Sequence, residues 1–240
     1  MTTPLVLVHG HGIDSSIWEG IQKCLPEYPI FTPDFASETR FVSIEDYAAG
    51  IREWLLEQGI ERCVLVGHSM GGYIALAFAE KYPELLAGFG LFHSTAYADD
   101  DAKREQRVKT LRFMETHGAA AFIKQASPNM YAESYLEKNP EALSNHIQTY
   151  SQLPTDAVIA GFKAIMNRPD RTAVLETTPL PVLFIFGQED KFIPFEKNIG
   201  LSELPQNAQT LVLAEVGHMG MFEAPEACAN ALAEFLKNIE

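Results

Sequence analysis

The sequence predicts an α/β fold: a mostly parallel sheet of about six strands flanked by helices, with an inserted helical cap. Three observations carry that prediction. Six short runs have strand length, and several are apolar over nearly every residue, as in strands buried on both faces of a parallel sheet. Stretches of helical periodicity separate them, which is the alternation that builds parallel strands. From Ser94 to Glu176 the alternation stops, and only helical patterns remain.

The elements follow in order. Leu5–Val8 is the first strand and Ile30–Thr32 the second. Ile44, Tyr47, Ala48, Ile51, Trp54 and Leu55 then share one helical face, with Ser43 placed as N-cap and Gly59 just past the end. Cys63–Val66 is the third strand, and the helix after it, from Gly71 to Tyr82, is stopped by Pro83. Phe89–Phe92 is the fourth. Within the insertion, Asp99–His117 opens on three aspartates, at the end where the helix dipole favours acid. Pro140–Leu153 and Thr155–Arg168 follow, punctuated by Pro154 and Pro169. Val182–Phe186 and Thr210–Leu213 complete the sheet, and a last helix begins at Pro225, a good first-turn residue, and runs to about Lys237. Residues 1–93 and 176–240 therefore form the core, and residues 94–175 the cap.

Composition narrows the partners. The 240 residues hold 18 Lys plus Arg against 32 Asp plus Glu, a net charge of −14, so no basic face for nucleic acid is expected. Cys24, Cys63 and Cys228 are far apart and odd in number, which suits neither a disulfide framework nor a cysteine zinc site. No run approaches the ~20 apolar residues of a membrane span, and the opening residues lack a signal-peptide core. A cytoplasmic protein that needs no membrane is the expectation.

The strongest chemical signal is Gly67-His68-Ser69-Met70-Gly71, a G-x-S-x-G directly after a strand and directly before a helix. A sharp turn there would lift the Ser69 hydroxyl above the sheet edge, and side chains at Gly67 or Gly71 would collide with the neighbouring chain. The alternative is a glycine-rich turn in which Ser69 merely caps the helix. A nucleophilic serine needs a base and a group that orients it. Two late loops, each after a strand, supply them: Gly187-Gln188-Glu189-Asp190 and Glu215-Val216-Gly217-His218. In a parallel sheet such loops meet at one edge. His218 is the candidate base; spacing alone does not choose between Glu189 and Asp190 for the acid. The backbone N–H groups of Met70 and of His11, in Val8-His9-Gly10-His11-Gly12, are candidate oxyanion donors. His9-x-His11 lacks a third ligand, so no metal is expected. His68 is expected to pack or hydrogen-bond, and His93 either to line the pocket or to be structural. His117 and His146 are expected to face solvent. Phe113–Met114, Phe122, Met130–Tyr131 and Phe162–Met166 could line an apolar acyl pocket or form the core of the insertion.

Together His9-Gly10-His11-Gly12, Gly67-His68-Ser69-Met70-Gly71-Gly72, Gly187-Gln188-Glu189-Asp190 and Gly217-His218 resemble the α/β-hydrolase superfamily, over nearly the whole chain outside the cap. The resemblance implies cofactor-free hydrolysis of a small-molecule ester, thioester, lactone, epoxide or C–C bond. It puts the acid at Asp190, giving Ser69, Asp190 and His218. Two features depart from many relatives: Asp34-Phe35-Ala36-Ser37-Glu38 replaces a Gly-x-Gly-x-Ser turn, and the His-Gly loop comes at residue 9 without two preceding strands. The short start and the stretches Glu189–Pro194 and Gly217–Met221 are similar to the methylesterase and hydroxynitrile-lyase branch. Lyases of that branch tend to have Thr where this chain has Gly10 and Lys where it has Met219, so both positions favour the esterase. The expectation is a serine esterase acting on a small ester or lactone. A C–C hydrolase or lyase on the same triad, and a ligand receptor on the same fold, are the rivals.

Overall fold

A computed structural model describes residues 3–239. Six parallel strands form one sheet: β1 (Leu5–Val8), β2 (Ile30–Phe31), β3 (Cys63–His68), β4 (Leu86–Phe92), β5 (Val182–Gly187) and β6 (Ala208–Leu213). Their spatial order is β2-β1-β3-β4-β5-β6, so the order reverses beside β1. The four inner strands are buried along their whole length, as their unbroken apolar sequences predict. The edge strand β6 instead alternates between exposed and partly covered residues until Leu213. β3, β4 and β6 run two or three residues beyond the sequence boundaries and β5 one, while β2 stops one residue short. Backbone pairing carries β3 through Gly67 and His68 against Leu91 and Phe92 of β4.

Helices pack on both faces. One side holds α1 (Glu19–Cys24) and, against it, the C-terminal helix, while the other holds α2 (Ile44–Glu57) and α3 (Met70–Lys81). Ser43 caps α2 in a reciprocal box with Asp46: the Ser43 hydroxyl accepts from the Asp46 N–H, and the Asp46 carboxylate from the Ser43 N–H. On the β1–α1 face, Trp18, Phe92 and Phe235 are among the fully buried residues.

Between β4 and β5 lies the helical insertion: α4 (Asp101–Ala126), α5 (Glu133–Lys138), α6 (Ala142–Tyr150), α7 (Thr155–Met166) and α8 (Thr172–Thr177). Asp100, one residue into the aspartate run, caps α4. The helix passes the expected end at His117 because it restarts there. Gly118 breaks it with φ 81° and ψ 167°, and the freed Ala119 N–H donates to the Thr155 hydroxyl at the start of α7. Met114, Ala119, Val158 and Phe162 close a small core of the insertion's own. The chain ends with α9 (Phe195–Asn198), α10 (Gly220–Glu223) and α11 (Pro225–Ile239). Among the described residues no helix is long and apolar enough to cross a membrane.

Candidate active site

The turn from β3 to α3 has the shape its glycines predict. Ser69 sits at φ 52° and ψ −113°, a conformation that costs an ordinary residue about 1–3 kcal/mol. A Cβ on Gly67 would come within 2.0 Å of the Gly71 backbone, and one on Gly71 within 2.4 Å of the Val8 carbonyl. Several bonds hold the strained residue. The Ser69 N–H donates to the Phe92 carbonyl (2.9 Å), and the Ser69 carbonyl accepts from the buried Ser94 hydroxyl (2.7 Å) and the Gly72 N–H (3.0 Å). Ser69 is the N-cap residue of α3, but its side chain makes no capping hydrogen bond to the helix.

Asp190 and His218 meet at the end of the sheet, beyond β5 and β6. The His218 Nδ1 lies 2.7 Å from Asp190 Oδ2, and both side chains are buried. The other Asp190 oxygen accepts from the N–H groups of Phe192 (2.8 Å) and Ile193 (2.9 Å). Burial works against the Asp190 carboxylate, but the His218 charge and hydrogen bond outweigh it and hold the group well below the usual carboxylate range. Glu189, the neighbouring candidate, is exposed.

Two further histidines surround this pair. His68 is fully buried, and its Nε2–H donates to the His218 carbonyl (2.9 Å). His93, also at positive φ, does not line the cavity; it stands behind Asp190. Its Nε2 accepts from the Gly220 N–H (3.3 Å), so the proton is on Nδ1, 3.4 Å from Asp190 Oδ2. That distance is an electrostatic contact rather than a well-formed hydrogen bond. Burial pushes both rings to lower pKa, most strongly His68, so both stay neutral beside the Asp190–His218 pair.

The His218 main chain is held as firmly as its ring. Its N–H donates to the Met130 carbonyl (2.7 Å) in the insertion. Glu223 takes the amides on either side: Gly217 N–H to Oε2 (2.9 Å) and Met219 N–H to Oε1 (3.0 Å). The same Oε2 accepts from Ala132 N–H (2.8 Å), again in the insertion. Sequence reasoning missed Glu223 and Ser94. A Glu four residues after Met219 was the only available signal for the first, and nothing local marks the second.

Ser69 and His218 open into one cavity of about 560 Å³ between the sheet edge and the insertion. Phe113, Phe122, Met130 and Phe162 line it, whereas Met114 belongs to the insertion's core. His11 lines it as well. Burial lowers the His11 ring to about 4, and its Nε2–H donates to the Val158 carbonyl (2.7 Å), which ties the His-Gly loop to α7. Among the described residues, the N–H groups of Met70 and His11 have no protein acceptor. The His9 ring turns away and accepts from the Phe35 N–H (3.0 Å). His117 is exposed, as expected. His146 is not: it is only 5% exposed, hydrogen-bonds Tyr131 Oη (2.9 Å), packs on Tyr150 and lines the cavity. The packing of α6 onto Tyr131 buries a position that looked solvent-facing in isolation. Among the described residues the one cluster with metal-ligating geometry is His93, Asp190 and His218, the same group that holds the histidine–aspartate pair.

A six-stranded parallel sheet, a strained serine on the strand-to-helix turn and a buried histidine–aspartate pair beyond the last two strands define an α/β-hydrolase. The chain belongs to the alpha/beta hydrolase family, whose model matches residues 5–231. Its fold is similar to that of a thermophilic esterase from Thermogutta terrifontis, with 28% identity and a TM-score of 0.93 over 99% of this chain and 90% of that one. Lipase 1 of Psychrobacter immobilis is 27% identical over 248 residues, covering 99% of this chain and 78% of the lipase. The enol-lactonase of Burkholderia xenovorans LB400 shares the fold at a TM-score of 0.89 and 20% identity, over 99% of this chain and 92% of its own. The protein is an α/β-hydrolase enzyme.

Proposed function

We propose that this enzyme is a serine hydrolase that cleaves a small carboxylic ester, lactone or related acyl compound through an acyl-enzyme. Ser69 Oγ attacks the carbonyl carbon while His218 Nε2 takes its proton. The N–H groups of Met70 and His11 stabilise the oxyanion. On collapse the acyl C–O bond breaks, and His218 returns the proton to the leaving alcohol. Water then attacks the acyl-enzyme with His218 again as base, releasing the carboxylic acid and restoring Ser69. Asp190 fixes the His218 tautomer throughout and stabilises the imidazolium. The insertion acts as a cap that shapes the pocket and limits water.

One observation carries this reading: His218 Nδ1 is bonded to Asp190 while the same histidine and the strained Ser69 face one cavity. The named esterase and lipase among its relatives point the same way. A fluorophosphonate probe should label the wild type, label no Ser69→Ala variant, and block turnover of activated esters. Wild-type protein that is folded yet resists the probe would overturn the reading.

A further inference from the structure

The cavity has a charge opposite to that of the protein. The chain carries 32 acidic against 18 basic residues, yet among the described residues lining the cavity there are Lys103, Arg107 and Lys109 and no Asp or Glu. Lys103 and Arg107 stand four residues apart on α4, a spacing at which like charges repel. Neither is satisfied by an acid of its own. Arg107 pairs with Asp99, but Asp99 also takes Arg168 (2.8 Å), so one buried carboxylate serves two guanidiniums. Lys103 Nζ has a single bond, 3.3 Å, to the Phe192 carbonyl.

These cations line the same cavity as Ser69 and His218. The Arg107 guanidinium lies 5.5 Å over the Phe162 ring, and Phe162 in turn packs on His11. Burial first, and with it the Arg107 charge, lowers both Lys103 and His11, against the opposing pull of Asp99 on Lys103 and of the Val158 carbonyl on His11. An anion between α4 and the oxyanion loop would relieve that crowding. A neutral acyl chain would leave it in place.

We propose that the cavity takes an ester or lactone that also bears a carboxylate, with Lys103 and Arg107 holding the carboxylate while Ser69 attacks the ester carbonyl. The inference rests on the hydrolase reading above. It assigns the bulk of the cavity wall to the apolar linker and the start of α4 to the charged end. Ester and water still give one acid and one alcohol; the second carboxylate is a handle and does not react.

The test uses p-nitrophenyl half-esters of succinic, glutaric and adipic acids, each paired with the analogue whose free carboxylate is replaced by a carboxamide. The size match leaves charge as the variable. At low ionic strength kcat/KM for the best half-ester should exceed that of its carboxamide partner by about tenfold or more, as for a charge-assisted hydrogen bond. The ratio should fall with added salt. In Lys103→Met it should shrink, and in Lys103→Glu it should invert, with the difference lying in KM. Lys103 makes one weak bond, so these variants should fold; a melting curve checks this. Labelling by fluorophosphonate and turnover of the carboxamides, with equal kcat/KM across every pair, would overturn the anionic substrate and leave the hydrolase standing. No labelling and no turnover of any ester would overturn both.

Discussion

Replacing Asp190 by Asn is the sharpest probe of the site, because its bonding leaves the amide one orientation. Asp190 Oδ1 accepts two backbone N–H groups, from Phe192 and Ile193, and neither can turn into an acceptor. An Asn must therefore put its oxygen there and its NH₂ where Oδ2 now faces His218 Nδ1 and His93 Nδ1. His93 keeps its proton on Nδ1 because its Nε2 is taken by Gly220 N–H, so the two donors oppose each other. His218 can adapt only by moving its proton from Nδ1 to Nε2, which is the tautomer that cannot accept from Ser69. The variant should lose ~10⁴ in kcat, about 5 kcal/mol of transition-state stabilisation, with KM little changed. Setting an amide N–H in place of a carboxylate oxygen against the His93 N–H should also lower the melting temperature. Steady-state hydrolysis of p-nitrophenyl acetate at pH 7–8, beside a thermal melt, measures both. A folded Asp190→Asn variant within tenfold of wild-type kcat would refute the assignment of Asp190 and the tautomer argument with it.

Four other outcomes follow from the same geometry. Glu223→Ala frees three amides around His218, so kcat should fall ten- to a hundredfold and the melting temperature by several degrees, read by kinetics and calorimetry; unchanged kcat would remove Glu223 from the positioning of the base. Gly67→Ala forces a Cβ into the Gly71 backbone, and a loss of more than ~3 kcal/mol, or no soluble protein, is expected in denaturant titration. Ser69→Gly should melt above Ser69→Ala, since glycine adopts φ 52° without the strain, whereas equal melting points would mean the turn stores none. The folded pKa of His146 is about 4 against 6.5 unfolded, so the unfolded chain binds the extra proton between those values. Its contribution is complete above pH 6.5 and is lost as pH falls toward 4, roughly 1 kcal/mol by pH 5.5. His146→Gln should flatten that part of the melting curve against pH.

What was legible in the sequence was whatever local chemistry enforces. The buried strands announce themselves by unbroken apolar runs, Ser43 by its capping partner Asp46, and the elbow by two glycines whose side chains would have no room. The choice between Glu189 and Asp190 was not local. The family resemblance put the acid at Asp190, and the fold turns that carboxylate inward, against two backbone amides, while Glu189 stays exposed. His146 and the length of α4 failed for a related reason. A half-polar helix shows its period but not which neighbour it leans on, and Gly118 reads as a terminus when a partner hydroxyl, Thr155, lets the chain continue. The cavity's positive wall was hidden by the net charge, because composition sums over the chain and says nothing of where the cations gather.

The attachment of the insertion to His218 has a consequence for how such proteins diversify. The hydrogen bonds by which the insertion holds the histidine loop come from main chain alone: the Met130 carbonyl and the Ala132 amide. Peptide groups are indifferent to the side chains they carry. The segment can therefore exchange side chains, and with them the shape of the pocket, while keeping its hydrogen bonds to the loop that carries His218. Inheritance can rewrite the vocabulary of selectivity while the grammar of bond cleavage stays fixed, provided the chain keeps its path through three residues.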